Sequence, residues 1–409
     1  MRKILVAGAV AALALVIPPA AAEEPSTIDT LFRTGDLAGA WSALATVQAP
    51  LTGRESKIRC HLLLFKNQLP DAQRCFAELT KADPSDRSAH AGLAEAYSRS
   101  GQFAAAASEF DFAGNAPRAA QARCLAAATP YVVKSPGEEF VVPFERVDPL
   151  PLIKVQVNGG DPCFFIIDTG AGTTVLDKQV ADQLKLPRIG AEGGVFAGGK
   201  KATVEYSIIG ALTLGDLTLE RVPVQILDTS SFGSIFGGLP INGVIGVGVL
   251  RQFTASLDYP HHRLELRLAN STHSASRGVT MPMWLAGDHL VLVSGSVGGL
   301  PELTLIDTGL AGFGCTLPKS TLDALGAKLD EKEVSGPGGG GVTSANRFTA
   351  SRIALGQAAA EDVPCLFGPF PPSLETSLGT RVGLLVSHQF LKRFNVTFDF
   401  RAMTLTLAD

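Results

Sequence analysis

Phe164-Phe165-Ile166-Ile167-Asp168-Thr169-Gly170 is an apolar run that stops at an acid, a hydroxyl and a glycine. Leu303-Thr304-Leu305-Ile306-Asp307-Thr308-Gly309 does the same later in the chain. Short apolar runs bounded by turn residues read as buried strands, so each acid is expected at a strand end. One Asp-Thr-Gly would arise by chance in roughly one chain in ten of this length. Two, each closing an apolar strand, need another explanation, and the surroundings supply it. Leu250-Arg251-Gln252-Phe253 leads to Ser256-Leu257-Asp258-Tyr259, and Leu391-Lys392-Arg393-Phe394 leads to Thr397-Phe398-Asp399-Phe400. Asp258 and Asp399 lie 141 residues apart, Asp168 and Asp307 139. Glycine-rich stretches at Gly193–Lys200 and Gly336–Gly341 keep a similar offset. A unit of about 140 residues has been doubled.

From Glu139 onward, short β-branched runs alternate with Gly, Asn-Gly and Pro turns. Examples are Phe140–Phe144, Leu152–Val157 before Asn158-Gly159, and Leu212–Leu214 before Gly215-Asp216. That region is expected to be mainly β. Residues 27 to about 128 read instead as helical, with apolar positions at three- and four-residue steps, as in Phe103, Ala106, Ala107 and Phe110. A repeat runs through them. Gly35-Asp36-Leu37 with Ala40, Asn67-Gln68-Leu69 with Ala72, and Gly101-Gln102-Phe103 with Ala106 match, the alanines stepping by 32 and 34 residues. Pro50 and Pro84 close the first two units.

Before the helices, Arg2 and Lys3 precede an apolar run from Ile4 to Ile17, followed by Pro18-Pro19 and Ala20-Ala21-Ala22. A charged start, a short apolar stretch and small residues read as a secretory signal over residues 1–22, too short to span a bilayer. The chain is expected to be periplasmic or secreted. Its formal charge of -4, or -6 after cleavage, comes with no basic block. Nucleic acid and anionic membrane surfaces are therefore not expected partners. Export makes the six cysteines candidates for disulfides. Cys60 and Cys75 fall on adjacent helices and are the first expected pair; the others are left open between pairing and buried thiols. The resulting organisation is a signal peptide over 1–22, helices over 23–130, and β lobes over 131–272 and 273–409.

The helical steps resemble tetratricopeptide repeats, which implies a surface able to take a peptide or partner protein; a purely structural cap is the other reading. The β region resembles the aspartic peptidases, most closely their retropepsin-like bacterial branch, here as two pepsin-like lobes in one chain. The features carrying this are the strand ending in Asp-Thr-Gly, the glycine-tipped hairpin, and Val244-Ile245-Gly246 before the Leu-x-x-Phe strand. The resemblance implies two barrel-like lobes, each supplying one catalytic aspartate, Asp168 and Asp307. It implies that Thr169 and Thr308 tie the loops together, while Gly170 and Gly309 allow the tight turn. Gly198, Gly199, Gly339 and Gly340 become the flap tips over a peptide or protein substrate, with neither metal nor organic cofactor.

Two neighbouring carboxylates cannot both ionise cheaply, so they share a proton, one activating water and the other protonating a carbonyl oxygen. Many pepsins have a hydroxyl residue after Asp-Thr-Gly; Ala171 and Leu310 cannot donate, which predicts an optimum nearer neutral. Leu310 is bulky and Ser387 replaces a family glycine, so a non-catalytic peptide- or protein-binding module is the alternative. A processing peptidase whose partner is chosen by the repeats is a further reading. Gly194–Lys200 lacks the hydroxyl of a phosphate loop, no His-Glu-x-x-His occurs, and the histidines are expected at the surface. Tyr206 is expected to pack within its strand, Asp258 and Asp399 to cap turns, and Asp177 to start a helix.

Overall fold

The computed structural model describes residues 25–48, 50–196, 199–268, 278–338, 340–370 and 374–409. The signal expected over residues 1–22 lies outside them. Among the described residues, seven helices come first: α1 (Thr27–Arg33), α2 (Leu37–Thr46), α3 (Gly53–Phe65), α4 (Leu69–Ala82), α5 (Arg87–Arg99), α6 (Phe103–Ala113) and α7 (Ala116–Ala126). The repeated sequence block is a repeated turn. Gly35, Asn67 and Gly101 have φ of 91°, 56° and 73°, a region that glycine, and less easily asparagine, enters at low cost. The following helices α2, α4 and α6 carry Ala40, Ala72 and Ala106, each at 0% exposure. Without bulk at those positions, consecutive helices close on one another.

Cys60 and Cys75 form the expected disulfide between α3 and α4, with Cα atoms 5.4 Å apart. It closes a loop with a sequence separation of 15, for which chain-entropy arguments give about 3 kcal/mol. Replacing both cysteines by alanine is therefore expected to lower unfolding free energy by roughly that amount. Urea unfolding checks this, and an unchanged midpoint would sink it. Cys315 and Cys365 form a second bridge; Cys124 and Cys163 remain thiols.

Helices α1 to α3 bury Phe32, Leu37, Leu62 and Phe65 against Trp284, Leu292, Leu303 and Leu385 of the second lobe. Helices and lobe thus share one apolar cluster, whose removal from water is the main force joining them.

The β region is two copies of one closed barrel. In the first lobe the strand order is Leu152–Val157, Cys163–Ile167, Gly243–Ile245, Thr174–Asp177, Leu217–Leu227 and Lys201–Leu214, which pairs back to the first. In the second it is Leu290–Val297, Leu300–Ile306, Leu384–Val386, Cys315–Leu317, Ala358–Phe367 and Gly341–Leu355, closing the same way. Closure leaves neither barrel an open edge. A six-stranded antiparallel sheet joins the lobes, in the order Val279–Ala286, Thr404–Ala408, Asn395–Asp399, Phe253–Asp258, Arg263–Leu268 and Glu139–Pro143. At its centre Ser256 pairs with Thr397, its own counterpart in the duplication, and their hydroxyls meet at 2.8 Å. The pseudo-two-fold axis passes there. Asp177 caps the helix Lys178–Gln183, accepting from the Gln179 N–H at 2.8 Å.

Candidate active site

Both Asp-Thr-Gly segments leave parallel-paired strands in the middle of their barrels, Cys163–Ile167 beside Gly243–Ile245 and Leu300–Ile306 beside Leu384–Val386. The Asp168 N–H donates to Ile245 O and that of Asp307 to Val386 O, each at 3.0 Å. The threonines then cross between lobes. The Thr169 hydroxyl donates to Ile306 O (2.9 Å) and accepts from Thr308 N (3.1 Å). The Thr308 hydroxyl donates to Ile167 O (3.0 Å) and accepts from Thr169 N (3.0 Å). Both threonines are fully buried. The hydroxyl is required because one atom must donate and accept at once.

The same crossing brings the acids together. Asp168 accepts from Gly170 N at 2.7 Å and Asp307 from Gly309 N at 2.8 Å. A Cβ on Gly309 would fall 2.4 Å from Asp168 Cγ, and one on Gly170 2.7 Å from an Asp307 carboxylate oxygen. Each glycine is therefore the space occupied by the other lobe's carboxylate. Burial, and then the charge and hydrogen bond of Asp307, push the Asp168 carboxyl well above the usual carboxylate range. That is the electrostatic state of two acids sharing a proton.

Two hairpins reach toward each other beyond the acids. Gly190–Val195 pairs with Lys201–Leu214, and Glu333–Gly338 with Gly341–Leu355. Phe196 N donates to Lys200 O at 2.7 Å, and Gly199, with φ 74°, turns the first tip. A Cβ on Gly340 would fall 2.7 Å from Lys200 Cβ, so the tips touch. Gly198 and Gly339 lie outside the described residues. No helix opens after Lys200, so the Gly194–Lys200 stretch is hairpin rather than phosphate loop.

The two departures from the family pattern leave the loop geometry intact. In the first lobe Ala171 N donates directly to Asp168 O at 3.2 Å. In the second the Ser387 hydroxyl stands between the corresponding atoms, donating to Asp307 O and accepting from Leu310 N at 3.0 Å. Leu310 packs against the cluster shared with helices α1 to α3. Tyr206 is buried within its strand, its hydroxyl on Glu192, as expected. Asp258 accepts from His261 N, and Asp399 from Arg401 N and Ala402 N, so both cap turns. The surface assignment of the histidines needs correction, because His90 and His388 are buried. His388 sits under the Asp307 loop with its ring on Tyr259 and Nε2 3.1 Å from Asp148; burial pushes its pKa down.

Sequence reasoning missed the turn bearing Asp288 and His289, which touches the Asp168 loop at Gly172. Only the lack of a side chain at Gly172 hints at so close a neighbour. Among the described residues no group of three or more His, Cys, Asp or Glu could hold a metal ion, and no helix is long and apolar enough to cross a membrane. A shared-proton carboxyl pair roofed by two hairpins can activate a water between its members.

The aspartyl protease family profile matches residues 153–249 and 293–385, once in each lobe. No curated protein sequence matches the chain. Among solved structures, a retropepsin-like aspartic protease from Rickettsia conorii is 18% identical, covering 34% of this chain and 97% of its own, with a TM-score of 0.25. Basic 7S globulin from soybean is 12% identical, covering 67% of this chain and 95% of its own, with a TM-score of 0.40. Each lobe of the β unit is thus similar to the aspartyl protease family.

Proposed function

We propose that the protein is an aspartic endopeptidase whose catalytic pair is Asp168 and Asp307. The observation that carries this reading is the exchange across the axis: each carboxylate fills the space over the other lobe's glycine. A peptide lies extended between the pair and the hairpin tips, its backbone pairing with strand edges. Water sits between the carboxyls; the ionised member takes its proton while the protonated member, Asp168 at the start of the cycle, donates to the carbonyl oxygen. The water oxygen bonds to the carbonyl carbon to give a gem-diol. Its collapse breaks the C–N bond, the leaving nitrogen taking the proton that Asp307 removed from water and a gem-diol hydroxyl returning one to Asp168, with no covalent intermediate. Phe196 on the first hairpin and Ala171 and Ala311 beside the two acids pack on one apolar cluster, which favours apolar side chains next to the cleaved bond.

The helical array, read as tetratricopeptide-like, offers a surface for a substrate segment or partner. Its disulfide and that of the second lobe support action in an oxidising compartment, periplasmic or extracellular. Peptide mapping by mass spectrometry after incubation with an unfolded protein mixture tests the activity. Fragments absent at every pH would overturn it.

The pH profile is the second test. Raising the Asp168 carboxyl extends the one-proton state of the pair toward neutral pH. Neither Ala171 nor Leu310 offers a hydroxyl to lower it. The kcat/KM optimum is expected above about pH 4, the ordinary carboxylate range. A maximum below about pH 3 would show that the pair is not held in this state.

A further inference from the structure

Charged side chains are gathered where helices α5 and α7 meet both lobes. Arg118 of α7 pairs with Asp288 (Nη1–Oδ2 3.2 Å) and with Glu95 of α5 (3.5 Å). Glu95 also holds Arg99 at 2.8 Å, and the Arg99 guanidinium donates to the carbonyls of Leu285 (3.1 Å) and Gly287. Asp288 lies in the turn between the second-lobe strands Val279–Ala286 and Leu290–Val297, with His289 Nδ1 2.5 Å from its Oδ1. Burial alone would raise the Asp288 pKa, but Arg118, His289 and Arg251 outweigh it and hold the carboxyl far below its usual range. Half-buried charges gathered in this number contribute little net stability, so stability gives a poor account of them.

From that turn Asp288 and His289 press on the loop that carries Asp168. A Cβ on Gly172 would fall 2.9 Å from Asp288 Oδ1 and 3.0 Å from His289 Nδ1. The loop's other side is fixed within its own lobe, where Ala171 O accepts from Val247 N and Gly172 O from Gly248 N, both at 2.9 Å. The arrangement has a counterpart across the axis. Asp148 of the first lobe reaches His388 (3.1 Å) and Lys392 (2.9 Å) of the second, and Lys392 matches Arg251 at the 141-residue offset. Asp288 differs in being gripped by a helix of the N-terminal region as well.

We propose that Asp288, anchored by Arg118, is a positioning residue that sets the place of the Asp168 carboxyl against Asp307, making the helical region a brace of the active site. The proposal rests on reading that pair as the catalytic dyad. Asp288 acts by contact through Gly172. The titratable and charged groups facing it are Arg118, Arg99, Arg251, His289, Tyr131 and Tyr206; those facing Asp168 are Asp307 and Tyr259.

Loosening the loop lets the two carboxyls drift apart. Their mutual influence then weakens, and the two pKa values of the pair draw together. For Asp288→Asn in the full chain, kcat is expected to fall about 10- to 100-fold, with KM within about threefold and a narrower bell in the pH profile. Carboxyl-carbon NMR titration should show the same narrowing on the protein itself. Arg118→Ala should act alike, and Arg118→Lys, which keeps a point charge, should fall between. A lower melting temperature with an unchanged bell and unchanged carboxyl titration would overturn the proposal, leaving Asp288 merely structural. Should Asp288→Asn fail to fold, Arg118→Lys decides by the same readouts. A wild type that titrates as described yet cleaves nothing would sink the endopeptidase reading instead, since the NMR result does not need turnover.

Discussion

Asp168→Asn and Asp307→Asn are each expected to lower kcat/KM by on the order of 10⁴-fold, with the fold unchanged. Asparagine keeps the shape of the acid but cannot take a proton from water or give one to a carbonyl oxygen at working pH. Both variants should fall together because the two groups act as one proton-sharing unit, and non-additivity in the double variant follows from the same logic. Cleavage that persists in either variant removes that aspartate from the chemistry. Stability should move the other way. Asp168 has a raised pKa in the folded protein, so its contribution is complete below the ordinary carboxylate range and is lost as pH rises through the raised value. At neutral pH the buried carboxyl is a liability to the fold, and Asp168→Asn removes it. Its melting temperature is expected to exceed that of the wild type at pH 7, with the gap closing as pH falls into the ordinary carboxylate range. An inactive but stabilised variant is what a functional charge kept at the expense of the fold produces.

The sequence displayed the dyad because duplication repeats a local pattern, and local patterns are visible without coordinates. Strand, acid, hydroxyl and glycine follow one another at 164–170 and 303–309, and the helical blocks beginning at Gly35, Asn67 and Gly101 repeat in the same way. Asp177 was legible as a helix cap, and Cys60–Cys75 as a link between neighbouring helices, because short separation limits the geometry. What could not be read is set by distant pairings. Cys315 and Cys365 face each other across parallel strands, 50 residues apart in sequence. Ser387 looks like damage when set against a family glycine, yet its hydroxyl carries the bond that the Asp168 loop makes directly. The burial of His388 and the grip of Arg118 on Asp288 depend on how the helices settle on the lobes. No periodicity records that.

The second large effect is expected from Thr308→Val, which keeps the volume and branching of the side chain and deletes only the hydroxyl. Thr169 N loses its acceptor and Ile167 O its donor, at a fully buried position. Leaving a buried polar group unpaired costs about 1–3 kcal/mol, so two such groups should lower unfolding free energy by roughly 2–6 kcal/mol. Thr308→Ser retains the donor and acceptor and should lose far less. Thr169→Val strips the other two groups, Thr308 N and Ile306 O. The two losses should nonetheless sum to less than their parts in the double variant, because loops already parted admit water to the remaining groups. Activity should fall about 100-fold or more in Thr308→Val, since a shift near 1 Å between the carboxyls undoes their shared proton. Urea unfolding and kcat measured on the same preparations check both effects. Wild-type stability in Thr308→Val would mean that the threonine crossing does not hold the lobes together; wild-type kcat with lowered stability would mean that the spacing of the acids is set elsewhere, by the joining sheet around Ser256 and Thr397.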